Sequence, residues 1–521
     1  MHSNTKYGTI NTIFLFGGRK MFNMEILAFI LYFVVVLVIG IYFFVTSRSG
    51  GEKEYFLGGR SMGPWVTALS AQASDMSAWL LMGLPGSILA FGFGQAWIGI
   101  GLALGTALNW IFVAKRLRRF SSAAGDSITV PQYLSNRFAS KSPVLQIASA
   151  IIFLVFFTVY VASSFVAGTS VFTTVFEGLD EKAAMLIFAA IILVYTFLGG
   201  FKAVCWTDFF QGLLMLVALV SVPIVVALFV DLDKSALSQV FAYTDASGDM
   251  VKCAFTSNFF SADWKEIVSG LAWGLGYFGM PHILVRFMSI KDAKMVKKSA
   301  LIAIIWVVIA LVSVIVMAYF GRMMVGEELL TQGKQSLIFI VLARKLFPAF
   351  IAGLLMAAII AASMSTADSQ LLVASSSFTS DIYKPVFRKN ASEKEVMWIG
   401  RLVVLIVAIV AYFIASSEGK GAQAIMNMVE NAWAGFGSAF GPVIILSLFW
   451  KRFTYKGAVA GVIGGAVTDV LWLMFMSHTG IYEIIPGFIV GAILAVVVTL
   501  IDKKPSEEVC AIYDVATAKE D

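Results

Sequence analysis

Ala362, Ser365, Thr366 and Ser369 stand at i, i+3, i+4 and i+7, so in a helix their side chains share one face and present a row of hydroxyls. Such an oxygen surface, completed by main-chain carbonyls freed where another helix breaks, suits a hard monovalent cation such as sodium. The alternative for Ser and Thr in an apolar helix is to back-bond to their own turn or to join neighbouring helices. A break is offered by residues 70–86, where Gln72, Ser74, Asp75 and Ser77 interrupt an apolar run of spanning length at 63–92. A carboxylate at membrane depth costs at least ~2.5 kcal/mol on insertion scales, so Asp75 must face a cavity, a protein interior or an ion. The small residues Ala71, Ala73, Ser74 and Ser77 leave backbone groups accessible there, and the stretch reads as a discontinuous transport helix.

A second break is expected at 271–282, where Gly274, Gly276, Gly279 and Pro281 punctuate an apolar run. Trp273 and Tyr277, four apart, put two rings on one side, a wall for a small amphipathic solute. Otherwise they are interfacial anchors or core filler. His282 and His478 read as structural or interfacial rather than as a proton relay. Glu430 faces either a cavity or the outer interface, and Asp469 is either interfacial or paired within the scaffold.

The elements that must hold these residues are membrane helices. The 521-residue chain is 59% hydrophobic and 13% charged, with a mean hydropathy of +0.86, well outside the range of water-soluble domains. About thirteen runs reach spanning length, near 22–46, 63–92, 95–114, 144–174, 183–199, 205–230, 265–288, 298–321, 347–373, 397–416, 425–450, 455–476 and 481–501. Most of the 38 basic residues fall in alternate loops, such as Lys115/Arg116/Arg118/Arg119 and Lys384/Arg388/Lys389, with Arg48 beside the first run. The positive-inside rule then puts the N-terminus outside and the C-terminus in the cytoplasm. The net charge of +6 is thereby a matter of topology, not of nucleic-acid binding. Short helices are expected in the loop 120–142 and interfacial pieces in the loop 231–263. Cys205, Cys253 and Cys510 show neither a disulfide framework nor metal-ligand spacing. The sequence contains no P-loop, which points away from ATP and towards an ion gradient as the energy source. Nothing suggests an enzyme, a signalling domain or an obligate protein partner. Residues 1–21 read as a tail with Met21 as an alternative start.

The chain resembles the solute:sodium symporter family. The resemblance is carried by Gly58-Gly-Arg60-Ser, by 75–86, by Gly199-Gly-Phe-Lys-Ala-Val-Cys-Trp-Thr-Asp208, by 273–282, by Met364-Ser365-Thr366 and by 431–437. It implies an all-α membrane protein of about 13 spans with a LeuT-like core of two inverted five-helix repeats, at 63–230 and 264–450. Helices at 22–46 and 455–501 would be peripheral, and 502–521 a cytoplasmic tail. It further implies a symporter of a bacterial cytoplasmic membrane that imports a small amino acid, L-proline, with sodium as the coupling ion. The alternative is sodium- or proton-coupled uptake of another organic solute such as pantothenate. Carried over by position, sodium would meet the carbonyls of Ala73, Met76 and Ala362 and the hydroxyls of Ser365 and Thr366. The solute would meet Ser77, Tyr160, Trp273, Tyr277 and Pro281. Asp75 would matter for ion and solute binding, and Arg60 for the cytoplasmic side. Asp208, Asp368 and Ser369, with Ser365, would form a second cation site; otherwise Asp208 caps its helix and Asp368 pairs with a cytoplasmic Lys or Arg.

Overall fold

Every expected apolar run is helical in the computed structural model, which describes residues 18–46, 51–244, 248–417 and 422–518. The helices are α1 (Gly18–Thr46), α2 (Pro64–Met76), α3 (Trp79–Phe91), α4 (Phe93–Ala123), α5 (Val144–Val175), α6 (Glu181–Leu198), α7 (Phe201–Phe229) and α8 (Trp264–Phe278). They continue as α9 (Pro281–Ser289), α10 (Val296–Leu330), α11 (Ala349–Phe387), α12 (Glu393–Ser417), α13 (Ala422–Phe449), α14 (Tyr455–Phe475), α15 (Ile484–Ile501) and a terminal α16 (Glu507–Thr517). Among the described residues ten helices are long and apolar enough to cross a membrane alone, and the bent pair α8–α9, kinked by 43°, makes an eleventh. The other two expected runs are the 18-residue α6 and the interrupted pair α2–α3. The first part of the expected tail, residues 1–17, and Arg48 lie outside the described residues; α1 begins at Gly18, inside that tail.

The two interrupted runs cross the molecule in opposite directions. At one end Met62 bridges to Ile290, joining the start of α2 to the exit of α9. At the other, Gly92 after α3 bridges to Thr256, ahead of α8. Pro281 opens α9 at a first-turn position, where its missing N–H is no loss.

The loop expected to hold interfacial pieces carries a β-hairpin, β1 (Val240–Thr244) antiparallel to β2 (Met250–Ala254). Val240, Phe241, Tyr243 and Thr244 in the first strand and Val251 in the second favour strands there. Arg322 of α10 fastens the hairpin: it donates to the carbonyls of Leu89, Gln239 and Cys253 and lies over the Phe241 ring at 4.7 Å.

The opposite end is fastened by Arg60. Gly58 and Gly59 take the left-handed conformation, φ +62° and +61°, and Arg60 follows at +53°, turning its side chain inward. Its guanidinium donates to Asp126 Oδ1 (2.8 Å), Ser121 Oγ (3.0 Å), the Met288 carbonyl (2.6 Å) and the Ser127 carbonyl (2.8 Å), linking α2, α4 and α9. Burial, aided by repulsion from Arg118, pushes Arg60 down to about 10, so it stays charged at neutral pH. Burial also opposes charge on Asp126, yet hydrogen bonds and positive charge from Lys53 and Arg60 prevail and hold its carboxyl below the usual carboxylate range. The loop 120–142 forms the expected short helix, Val130–Arg137, capped by Thr129.

At the same end α16 is docked. Arg137, fully buried, donates to the carbonyls of Val509 and Ser447; Tyr513 donates to the Phe449 carbonyl; Lys451 pairs with Asp514 at 2.7 Å. The terminal helix thereby joins the short helix Val130–Arg137 to the end of α13.

Candidate functional site

The break between α2 and α3 is centred on Ser77, whose backbone sits at φ +40°, ψ −177°. For a residue with a Cβ this conformation costs about 1–3 kcal/mol and persists only where the surroundings enforce it. The Ser77 hydroxyl accepts from the Trp79 amide at 3.1 Å, opening α3. Carbonyls at the end of α2 are thus left without helical partners at mid-span.

α11 meets this break with its row of hydroxyls. Ser365 donates to the Ala73 carbonyl at 2.8 Å and to the Ala362 carbonyl at 3.2 Å, so three of the five expected cation-binding residues touch. Thr366 Oγ1, beside it, is buried and has no hydrogen-bond partner among the described residues. Met76 is buried at the same turn. A solvent-shielded hydroxyl left unpaired next to neutral carbonyl oxygens fits the ligand chemistry of a small hard cation, which takes several oxygen donors at once. Asp75 points elsewhere: its carboxylate accepts from the Tyr277 hydroxyl at 2.6 Å, while Tyr160 donates to its carbonyl at 3.4 Å.

That bond ties the two breaks together. The last turns of α8, Trp273–Phe278, wind as a 3-10 helix, and Asn109 of α4 donates to the Tyr277 carbonyl at 2.9 Å. Trp273 is stacked between Trp79, at 5.3 Å, and Trp433, at 6.4 Å, with Tyr482 at 5.4 Å. Trp433 donates to the Trp273 carbonyl at 2.7 Å, and Gly276 makes room for its indole: a Cβ there would lie 1.9 Å from Trp433 Nε1. A cavity of about 260 Å³ opens from the hairpin end and reaches Trp273, with Glu430, Met426 and Tyr243 in its wall. Tyr160, Ser77, Tyr277 and Pro281 are buried and do not line it. The aromatic stack therefore stands between this cavity and the break. Glu430, left open by sequence between cavity and interface, lines the cavity; Asp469 is buried and accepts from Ser438 at 3.0 Å.

Asp208 and Asp368 are both fully buried. Asp208 neither caps its helix nor stands free: Oδ2 accepts from Arg286 of α9 at 2.8 Å and from Ser70 of α2 at 2.7 Å. Arg286 also bonds Ser369, Ser70 and the His282 carbonyl. The positive charge beside Asp208 and Ser369 is thus a guanidinium, which sequence reasoning missed. Asp368 pairs with no cytoplasmic Lys or Arg, and neither of its oxygens has a hydrogen-bond partner among the described residues.

Spans that cross in opposite directions and break at mid-membrane around free carbonyls, hydroxyls and an aromatic wall define an ion-coupled secondary transporter. The chain belongs to the sodium:solute symporter family, whose model matches residues 55–465; this is a family of transporters, not of enzymes. It is 43% identical over 480 residues to the high-affinity proline transporter PutP of Bacillus subtilis (strain 168), covering 91% of this chain and 97% of that protein. It is 44% identical over 484 residues to the sodium/proline symporter of Staphylococcus aureus (strain JH9), covering 91% and 92%. Its fold is similar to that of a Na+-coupled sialic acid symporter in a substrate-bound outward-open state, with a TM-score of 0.73 at 21% identity over 93% of this chain and 98% of that one. Mhp1, a nucleobase-cation-symport-1 family transporter, is more distant, with a TM-score of 0.51 at 14% identity over 88% and 98%. The fold is thus LeuT-like, in a multi-pass membrane protein.

Proposed function

We propose that the chain imports L-proline across a bacterial cytoplasmic membrane, coupled to inward sodium movement. One observation carries the mechanism: the Ser365 hydroxyl on α11 reaches the Ala73 carbonyl at the break of α2, beside the unpaired Thr366 hydroxyl. A sodium ion among Ala73, Met76, Ala362, Ser365 and Thr366 joins α2 to α11 and favours the conformation open towards the hairpin end, which basic-loop asymmetry assigns to the outside. Proline enters past Trp273; its apolar ring packs on the aromatic wall of Trp273, Tyr277 and Tyr160 near Pro281, and its carboxylate meets amides at the broken helix start by Ser77. Movement of the repeats 63–230 and 264–450 against each other then opens the Arg60 end. Asp208, Asp368 and Ser369 form a second cation-sensitive region in which Arg286 supplies the resident charge.

The test is uptake into proteoliposomes. An inward sodium gradient should accumulate labelled proline, an ionophore that collapses it should abolish accumulation, and a proton gradient should not substitute. Accumulation of labelled pantothenate but not of labelled proline under that gradient, or uptake indifferent to sodium, refutes the proposal.

A further inference from the structure

A cavity of about 530 Å³ opens sideways from the bundle between α1, α6 and α11. Phe33 and Val36 form one wall, Ala190, Val194 and Tyr195 the other, and Met364 the floor. Phe33 lies near the middle of the span Met24–Phe43, Ala190 near the middle of α6, and Met364 about midway along the helix Ala349–Phe378, so the groove is centred at bilayer mid-depth. It narrows from an exposed rim, with Val194 56% exposed, to a floor where Met364 is 1% exposed.

The polar atoms around it are turned into the protein. Tyr195 bonds Thr207 through its hydroxyl. The Tyr32 hydroxyl accepts from Gln211 at 2.8 Å and donates to the Met364 sulfur at 3.8 Å. What faces the groove is hydrocarbon, so water has no partners there, and leaving the space empty forfeits the dispersion contacts of its lining. A helix of a second copy would need a broad face of small residues for close approach. Here the rim carries Phe33 and Val194 instead.

We infer that the groove holds one lipid acyl chain, which packs against Met364 and thereby sets the position of the next residue, Ser365. The lipid contact stands on the groove alone; its effect on the ion rests on the proposed sodium reading of Ser365. With the chain in place Met364 is supported from both sides, by lipid and by Tyr32, and α11 is held where Ser365 reaches Ala73. Without it Met364 is free to move into the groove.

Ala190→Trp fills the groove from its exposed rim. Native mass spectrometry of equally washed protein should find one phospholipid fewer on this variant than on the parent. Its sodium midpoint, read from sodium-dependent thermal stabilisation, should shift by about fivefold or more, the lower end of ordinary coupling between sites. Val410→Trp, a comparably lipid-facing change on α12, should alter neither. Equal phospholipid counts in parent and Ala190→Trp overturn the inference, as does loss of the lipid with an unchanged sodium midpoint, or an equal effect of Val410→Trp. A parent dimer that Ala190→Trp splits assigns the groove to a second copy instead. If lipid counts differ but neither protein responds to sodium, the sodium reading falls and the acyl-chain site stands.

Discussion

Replacing Thr366 by Val should make the ion-free protein more stable and blind to sodium, whereas replacing Ser365 by Ala should do the opposite to stability. Val keeps the shape and methyl of Thr and removes only the hydroxyl, which is buried and unpaired. An unsatisfied buried polar group costs about 1–3 kcal/mol, so its removal should stabilise the empty protein by up to that amount. Ser365 is different, because its hydroxyl already bonds the carbonyls of Ala73 and Ala362. Losing it should cost about 0.5–1.5 kcal/mol without any ion. Sodium at a hundred times its dissociation constant stabilises the parent by about 2.7 kcal/mol through mass action. Thermal unfolding of purified protein across a sodium series, with choline as the replacement cation, separates the two. Thr366→Val should start above the parent and stay flat as sodium rises. Ser365→Ala should start below it and respond only at higher sodium. A Thr366→Val protein less stable than the parent in choline, or one with the parent's full sodium response, would falsify the assignment of an ion to that hydroxyl.

Trp273→Ala removes the middle ring of the stack, worth about 0.5–1.5 kcal/mol beyond area burial; the proline half-saturation should rise roughly two- to tenfold while sodium-dependent stabilisation persists, and an unchanged proline response would misplace the wall. Arg286→Met strands Asp208 as a buried charge and should cost about 3–5 kcal/mol; unfolding measurements should show Asp208→Asn/Arg286→Met recovering most of it, and a single variant as stable as the parent would refute the pairing. Because the folded Asp126 carboxyl lies below its usual range, its bond to Arg60 contributes fully above that range and is lost only as pH falls through the depressed value. With Asp126 half-exposed, the pair is worth about 1 kcal/mol or less; the stability difference between the parent and Asp126→Asn, read by thermal unfolding, should stay level from pH 8 to 5, and a difference that vanishes within that window would refute the pairing.

Much of this was legible because membrane burial makes polar residues conspicuous. Gln72, Ser74, Asp75 and Ser77 in an apolar run announced the first break, and glycines around Trp273 the second. The hydroxyl face of α11 followed from helical spacing alone. Arg286 was not legible: it closes an ion pair to Asp208 across 78 positions, and nothing local distinguishes it from a residue at a helix end. The same holds for the stack, since Trp79, Trp433 and Tyr482 come from three separate elements and meet Trp273 only after folding. The hairpin escaped because its strands are only five residues each and depend on Arg322 from a distant helix.

The docked terminal helix gives the protein a built-in reporter. Cys510 sits in α16, half-buried, while Cys205 and Cys253 are enclosed. A maleimide added to unmodified protein should find Cys510 first, at a rate set by how often α16 lifts from Arg137 and the end of α13. Labelling kinetics would therefore follow undocking without any engineered thiol, and a purification tag fused close behind Thr517 needs a spacer if it is not to prise the helix away.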